Sequence, residues 1–238
     1  DGTNVWDESG NDNPGYHVGS IAYEAGIPGL APRFTSRDTY IVSSGENLNM
    51  AGWTGLTVSA WIMMKQYTTY GNVISRGGVT TEDRGAFSLR AGGEYESRWV
   101  GSLFTVATNI GAEVGKLDSQ TFGNYVTPYP ELNRWYHLVT TYDGMQMCFY
   151  VDGVLESTKV ISSALAPLDD LISNKMVIGN SSKQPGIDWS DAYFDGLIDN
   201  VRIYSKALSS NEVLQLHNDH GSSGDVLLQI AADPSEQG

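Results

Sequence analysis

Cysteine is almost missing from this chain. Its 238 residues include one, Cys148, so no disulfide can close within the molecule and stability rests on packing, with or without a metal. Cys148 lies in the apolar run Met145 to Val151, which predicts a buried and inert thiol. Basic residues are also few: 14 Lys and Arg stand against 28 Asp and Glu, a net charge of −14. Such a surface repels phosphate backbones and anionic membrane faces, which argues against nucleic acid as a partner. The acidity suits divalent cations, salty surroundings or plain solubility, and does not choose among them. No apolar run approaches the roughly 18 residues a membrane-spanning helix needs, and no signal-peptide pattern is visible. Motifs for nucleophilic or metal-hydrolytic chemistry are lacking as well: no Gly-x-Ser-x-Gly, no His-Glu-x-x-His and no phosphate-binding glycine loop, and the four histidines are too scattered for a zinc site.

What the chain has is alternation. With 40% hydrophobic residues it can bury one good core, and short apolar-polar runs between Gly and Pro breaks predict antiparallel strands over 16–27 and 31–42. Leu56 to Met64 predicts a longer strand with Val58, Ala60 and Ile62 on one face and Trp61 on the other. The pattern continues over Asn72 to Arg76, Gly85 to Arg90 and Met176 to Asn180. Two strands are expected within Tyr95 to Ala107, followed by a long surface excursion over 109–133. Between Trp135 and Val160, the turns Asp143-Gly144 and Asp152-Gly153 join three alternating runs into a meander. Residues 1–15, polar apart from Val5 and Trp6, read as a loop. One helix is expected near the C-terminus: Ser209 and Glu212 form a capping box ahead of Val213, Leu214 and Leu216, and Gly221 ends the segment.

Four stretches carry more than periodicity. They are Asp7 to Gly15 (DESGNDNPG), Leu56 to Ile62 (LTVSAWI), Trp135 to Gly153, and Phe194 to Tyr204 (FDGLIDNVRIY) with the helix behind it. In that order, over about residues 5 to 217, they resemble laminin G-like domains of the concanavalin A-like lectins. The resemblance implies an all-β fold: a two-sheet antiparallel β-sandwich, the lectin-type jelly roll, with one short C-terminal helix. It also implies an extracellular or cell-surface location. In that family the aspartate matching Asp199 shares a calcium ion with the N-terminal loop, so the implied ligands are Asp7, Asn11, Asn13 and Asp199. From the residues alone, the loop supplies hard oxygen donors at short spacing, and an Asx-rich turn without metal is the alternative.

The end of the chain departs from the family pattern, which finishes with the helix. The expected division is a jelly-roll domain over 1–221, lacking the family's first strand, and a linker with an extra strand over 222–238. That strand comprises Asp225, Val226, Leu227, Leu228, Gln229 and Ile230. Placed ahead of Asp1, the tail reads as an ordinary beginning for such a domain. It either folds into its own sandwich, or is donated head-to-tail to another copy, or marks one period of a tandem repeat. The start at Asp1 suggests a processed protein or an excised module.

The reading that follows is a non-catalytic, calcium-stabilised structural or adhesive subunit that self-associates through residues 225–230. The rival is a polysaccharide-binding module. Trp99, Tyr125, Tyr129, Trp189 and Tyr193, with Asn124, Asp188 and Asp191 close by, offer flat faces and polar groups suited to sugars, although packing also uses aromatics. Glycan hydrolysis is remote, since Glu94 and Glu96 sit at strand spacing but Ser97 or Arg98 stands where a third acid belongs. Asn180 begins a glycosylation sequon, and His137 reads as a satisfied core histidine rather than a metal ligand.

Overall fold

The computed structural model describes residues 4–5, 7–43, 53–68, 71–76, 87–91, 100–103, 115–118, 131–160, 176–180, 193–220 and 228–230. Two antiparallel sheets face one another. The first runs, in spatial order, β1 (Asn4–Val5), β2 (Gly15–Val18), β5 (Tyr40–Ser43), β14 (Met176–Ile178), β7 (Asn72–Arg76), β8 (Phe87–Arg90), β9 (Val100–Leu103) and β10 (Gly115–Asp118). The second runs β13 (Val154–Val160), β12 (Gln146–Val151), β11 (Trp135–Tyr142), β6 (Leu56–Met64), β15 (Gly196–Tyr204), β4 (Leu30–Phe34) and β3 (Ala22–Ala25). A further strand, β16 (Leu228–Ile230), pairs with β15. The sandwich and the C-terminal helix, α1 (Ser210–Asn218), the one helix among the described residues, are those the sequence predicts. The N-terminal stretch is not loop throughout: Asn4 and Val5 pair with Tyr16 and Gly15, because Val5 has a core place to fill and is 2% exposed.

Alternation along each strand decides what lies between the sheets. Val58, Ala60 and Ile62 of β6 lie beside Leu138 and Tyr136 of β11 and Ile198 and Ile203 of β15, and share one core with Ile41, Ile74, Leu89 and Ile178 of the first sheet. The meander forms as its turns require. Asp152 and Gly153 both take positive φ, 50° and 76°, the geometry of a two-residue hairpin whose twist matches its strands.

The opposite face of β6 and β11 is buried as well. Helix α1 lies over it and closes a second cluster of Val139, Tyr150, Tyr204, Leu208, Val213 and Leu216. The capping box is formed: the Ser209 hydroxyl accepts from the Glu212 backbone N–H, and the Glu212 carboxylate accepts from the Ser209 N–H at 2.7 Å. Cys148 borders this cluster and is half-buried rather than enclosed; burial pushes its thiol up.

β15 has two partners on one edge. β4 pairs at Gly196 and Leu197, and β16 pairs at Val201, Arg202 and Ile203, so strands almost 200 residues apart share one lane. Within this single chain the extra C-terminal strand pairs with β15. Leu228, Gln229 and Ile230 stand in the ladder, and Asp225, Val226 and Leu227 lie outside the described residues.

Candidate functional site

The gap between β4 and β16 is where β15 bends. A bulge falls between Asp199 and Arg202, and Asn200 takes φ 47°. The Asp199 carboxylate, 4% exposed, accepts from the Ile27 N–H at 2.6 Å and the Asn200 N–H at 2.8 Å. The Asn200 side chain donates back to the Ile27 carbonyl, fixing the turn before Pro28. Burial pushes the Asp199 carboxyl up to about 6, opposed by those two N–H donors and by Arg202, and helped by Glu8. Its folded-state value thus exceeds its unfolded one. The protonated form favours folding below about pH 4, and this contribution is lost as pH rises through about 6.

The N-terminal loop is organised by its first acid. Asp7 Oδ1 accepts from the Ser9 N–H at 2.9 Å, and Oδ2 accepts from the Asn13 N–H at 3.0 Å and from Asn13 Nδ2 at 3.2 Å. Asn13 is 1% exposed, and its carbonyl accepts from the Ser43 hydroxyl at 3.1 Å, which ties the loop to β5. Asn11 stays at the surface, where its amide donates to Ser9. Since Glu8 of this loop acts electrostatically on Asp199, the loop lies beside the β15 bulge.

These residues suit a hard cation by chemistry: the donors are carboxylate and amide oxygens, and a buried carboxylate with a raised pKa is one that a positive charge relieves. Among the described residues no group of three or more His, Cys, Asp or Glu side chains is placed to hold a metal ion. Any calcium shell would have to draw on Asn13, Asn11 and backbone carbonyls besides Asp7 and Asp199.

Of the aromatic set, Tyr193 is described; it stands half-buried two residues before Asp195, immediately ahead of β15. Trp99, Asn124, Tyr125, Tyr129, Asp188, Trp189 and Asp191 lie outside the described residues, as do Glu94, Glu96, Ser97 and Arg98. Asn180 is partly buried, and its Nδ2 donates to the Arg37 carbonyl at 2.7 Å.

One grouping escaped the sequence. His137, His217 and His220 gather around Trp61, with ring centroids 4.9, 5.0 and 5.6 Å from its indole. Residue spacing gives no sign of this, because β6, β11 and α1 each contribute separately. Alternation did place Trp61 on the outer face, but not the helix end that covers it.

A sequence profile of the concanavalin A-like lectin/glucanases superfamily matches residues 35–214, more than half of the chain. The chain belongs to this superfamily. No curated protein matches it. Among solved structures, the receptor-binding domain of a botulinum neurotoxin C/D mosaic serotype aligns with TM-score 0.64 and 15% identity, over 89% of this chain and 48% of that one. A putative carbohydrate-binding protein from Bacteroides ovatus aligns with TM-score 0.56 and 19% identity, over 98% and 52%. Domain 4 of an extracellular arabinanase from Geobacillus stearothermophilus, solved with arabinotriose, aligns with TM-score 0.59 and 21% identity, over 88% and 91%. This chain therefore spans about half of the first two chains and nearly all of the third. At these identities the superfamily likeness is one of fold. No helix among the described residues is long and apolar enough to cross a membrane.

Proposed function

We propose that this superfamily member is a non-catalytic, extracellular or surface polysaccharide-binding module. The observation that carries this reading is the domain-for-domain alignment with the arabinanase module bound to arabinotriose, in which neither chain is much longer than the other. Tyr193 and the aromatics Trp99, Tyr125, Tyr129 and Trp189 supply the faces for sugar rings, with Asp188 and Asp191 for hydroxyls. The test is retention on immobilised polysaccharides, arabinan first. Each of Trp189→Ala and Tyr193→Ala is expected to weaken retention about tenfold, the equivalent of roughly 1.4 kcal/mol for one lost stacking face. Unchanged retention in both variants would remove this surface from consideration.

Calcium is proposed as a structural ion held by Asp7, Asp199, Asn11 and Asn13, joining the first loop to the β15 bulge. An ion that binds only the folded chain raises stability by about 2.7 kcal/mol at a hundredfold excess over its Kd. Calcium should therefore raise the melting temperature, chelator should reverse the rise, and Asp199→Asn should abolish both. A variant that responds like the parent chain would take Asp199 out of the site.

A second reading is self-association by exchange of β16 between copies. It is favoured by the place of β16, which pairs along β15 in the same lane as β4 but beyond it, where a strand from another copy could pair in the same way. Light scattering should then detect assemblies that vanish on truncation at Gly224. A monomer at high concentration, with and without the tail, would leave β16 as an internal strand.

A further inference from the structure

The histidine cluster on the outer face of the second sheet serves neither the glycan reading nor the cation reading. His137 of β11 is 1% exposed. Its Nε2 lies 2.9 Å from the Ser59 hydroxyl, and its Nδ1 is buried with no hydrogen-bond partner. Trp61 covers one part of the ring, and His217, in the last turn of α1, covers another at a centroid distance of 5.6 Å. His220 follows against the same indole. The end of the helix is thus the cover over His137, joined to it by stacked rings rather than by a hydrogen bond.

The charges around that ring are nearly all of one sign. β15 brings Arg202, 2% exposed; α1 brings His217, and the turn after it His220. β6 contributes only the neutral Ser59 and Trp61. Asp152, at the β12–β13 turn, spends its carboxylate on the His137 backbone N–H at 2.9 Å and on Arg134 at 3.2 Å. Asp199 and Glu8 act on Arg202, and Asp219 caps the helix from an exposed position. Among the described residues no carboxylate is hydrogen-bonded to the His137 ring. The doubly protonated ring must carry an N–H at Nδ1, where no acceptor waits, and a charge beside Arg202 away from water.

We propose that the last turn of α1, residues 216–220, is an acid-released clasp: it stays docked while His137 is neutral and lifts from the sheet when protons compete for the uncovered ring. Burial, with the neighbouring cations, holds the His137 pKa down to about 3 in the docked form, against an ordinary value near 6.5. The docked form therefore keeps its full stability above about pH 6.5 and loses it progressively as the medium falls toward 3. Asp199 works in the opposite direction, but it is not among the groups that act on the His137 ring. Lifting the turn bares Trp61.

Amide hydrogen exchange on the full chain tests the clasp. Corrected for intrinsic rates, protection of the amides of Leu216 to Asp219 should fall about 30-fold between about pH 7.5 and about pH 5, the ratio set by roughly 1.5 pH units below an exposed histidine. The β6–β11 ladder should not follow. In His137→Gln, where an amide replaces the ring without titrating, protection should stay level across the range. An equal fall in the variant, no fall in the parent chain, or an equal fall across the whole sandwich would each overturn the proposal. Should His137→Gln fail to fold, the ring resonances of the parent chain decide: a docked His137 that does not titrate down to about pH 5 supports the clasp, and one that titrates near 6.5 refutes it.

Discussion

Gly196→Ala is expected to destabilise the domain by about 3 kcal/mol or more. A Cβ built on Gly196 would sit 2.1 Å from the Met63 carbonyl oxygen and 2.7 Å from a ring carbon of Phe194. Phe194 can turn only within a packed core, and the carbonyl cannot move without pulling β6 away from β15. Gly196 is also hemmed in laterally, paired with Met64 on one side and Phe34 on the other. Overpacking usually costs about 1–3 kcal/mol, and a clash with backbone belongs at the upper end. For a domain of this size the loss corresponds to roughly 6–12 °C in melting temperature. A variant that melts within about 2 °C of the parent would mean that the edge of β15 yields far more easily than its pairing implies.

Phe34→Ala is expected to cost about 3–5 kcal/mol, the range for emptying a fully buried phenyl site. Phe34 is 0% exposed and bridges the sheets, because its ring lies against Gly179 just beyond β14. Gly179 has φ +84°, and a Cβ there would lie 2.3 Å from Phe34 Cδ1. Gly179→Ala therefore carries a backbone strain and a clash, and only the clash depends on Phe34. The double variant should lose at least about 1 kcal/mol less than the sum of the single losses. Strict additivity in urea unfolding would show that the phenyl ring is not the wall that keeps residue 179 a glycine.

Much of the architecture could be read without coordinates because its signals are local. The Asp152-Gly153 turn, the alternation of β6 and the Ser209–Glu212 box each lie within a few residues, and each formed as expected. Residues 4–5 were harder. Val5 has little around it in sequence to mark a strand, and its place is decided by pairing with β2 and by a vacancy in the core. Asp199 was legible as a special position, since an acid in the middle of an apolar run has to be accounted for. Its partner at Ile27, 172 residues away, was not. The histidines show the same limit: Ser59 satisfies His137 Nε2 as a core histidine requires, but the bare Nδ1 and the helix end above it emerge only when three distant elements meet.

The lane that β4 and β16 share along β15 also has a meaning in time. A ribosome delivers β4 and β6 long before residues 228–230 and β15 only shortly ahead of them, so Val201 to Ile203 are made before their neighbours on one edge. Translation supplies the two halves of this lane at well-separated times, β4 first and β16 last. For that interval the nascent chain presents an open edge to whatever chaperone, or neighbouring nascent copy, stands at the tunnel exit.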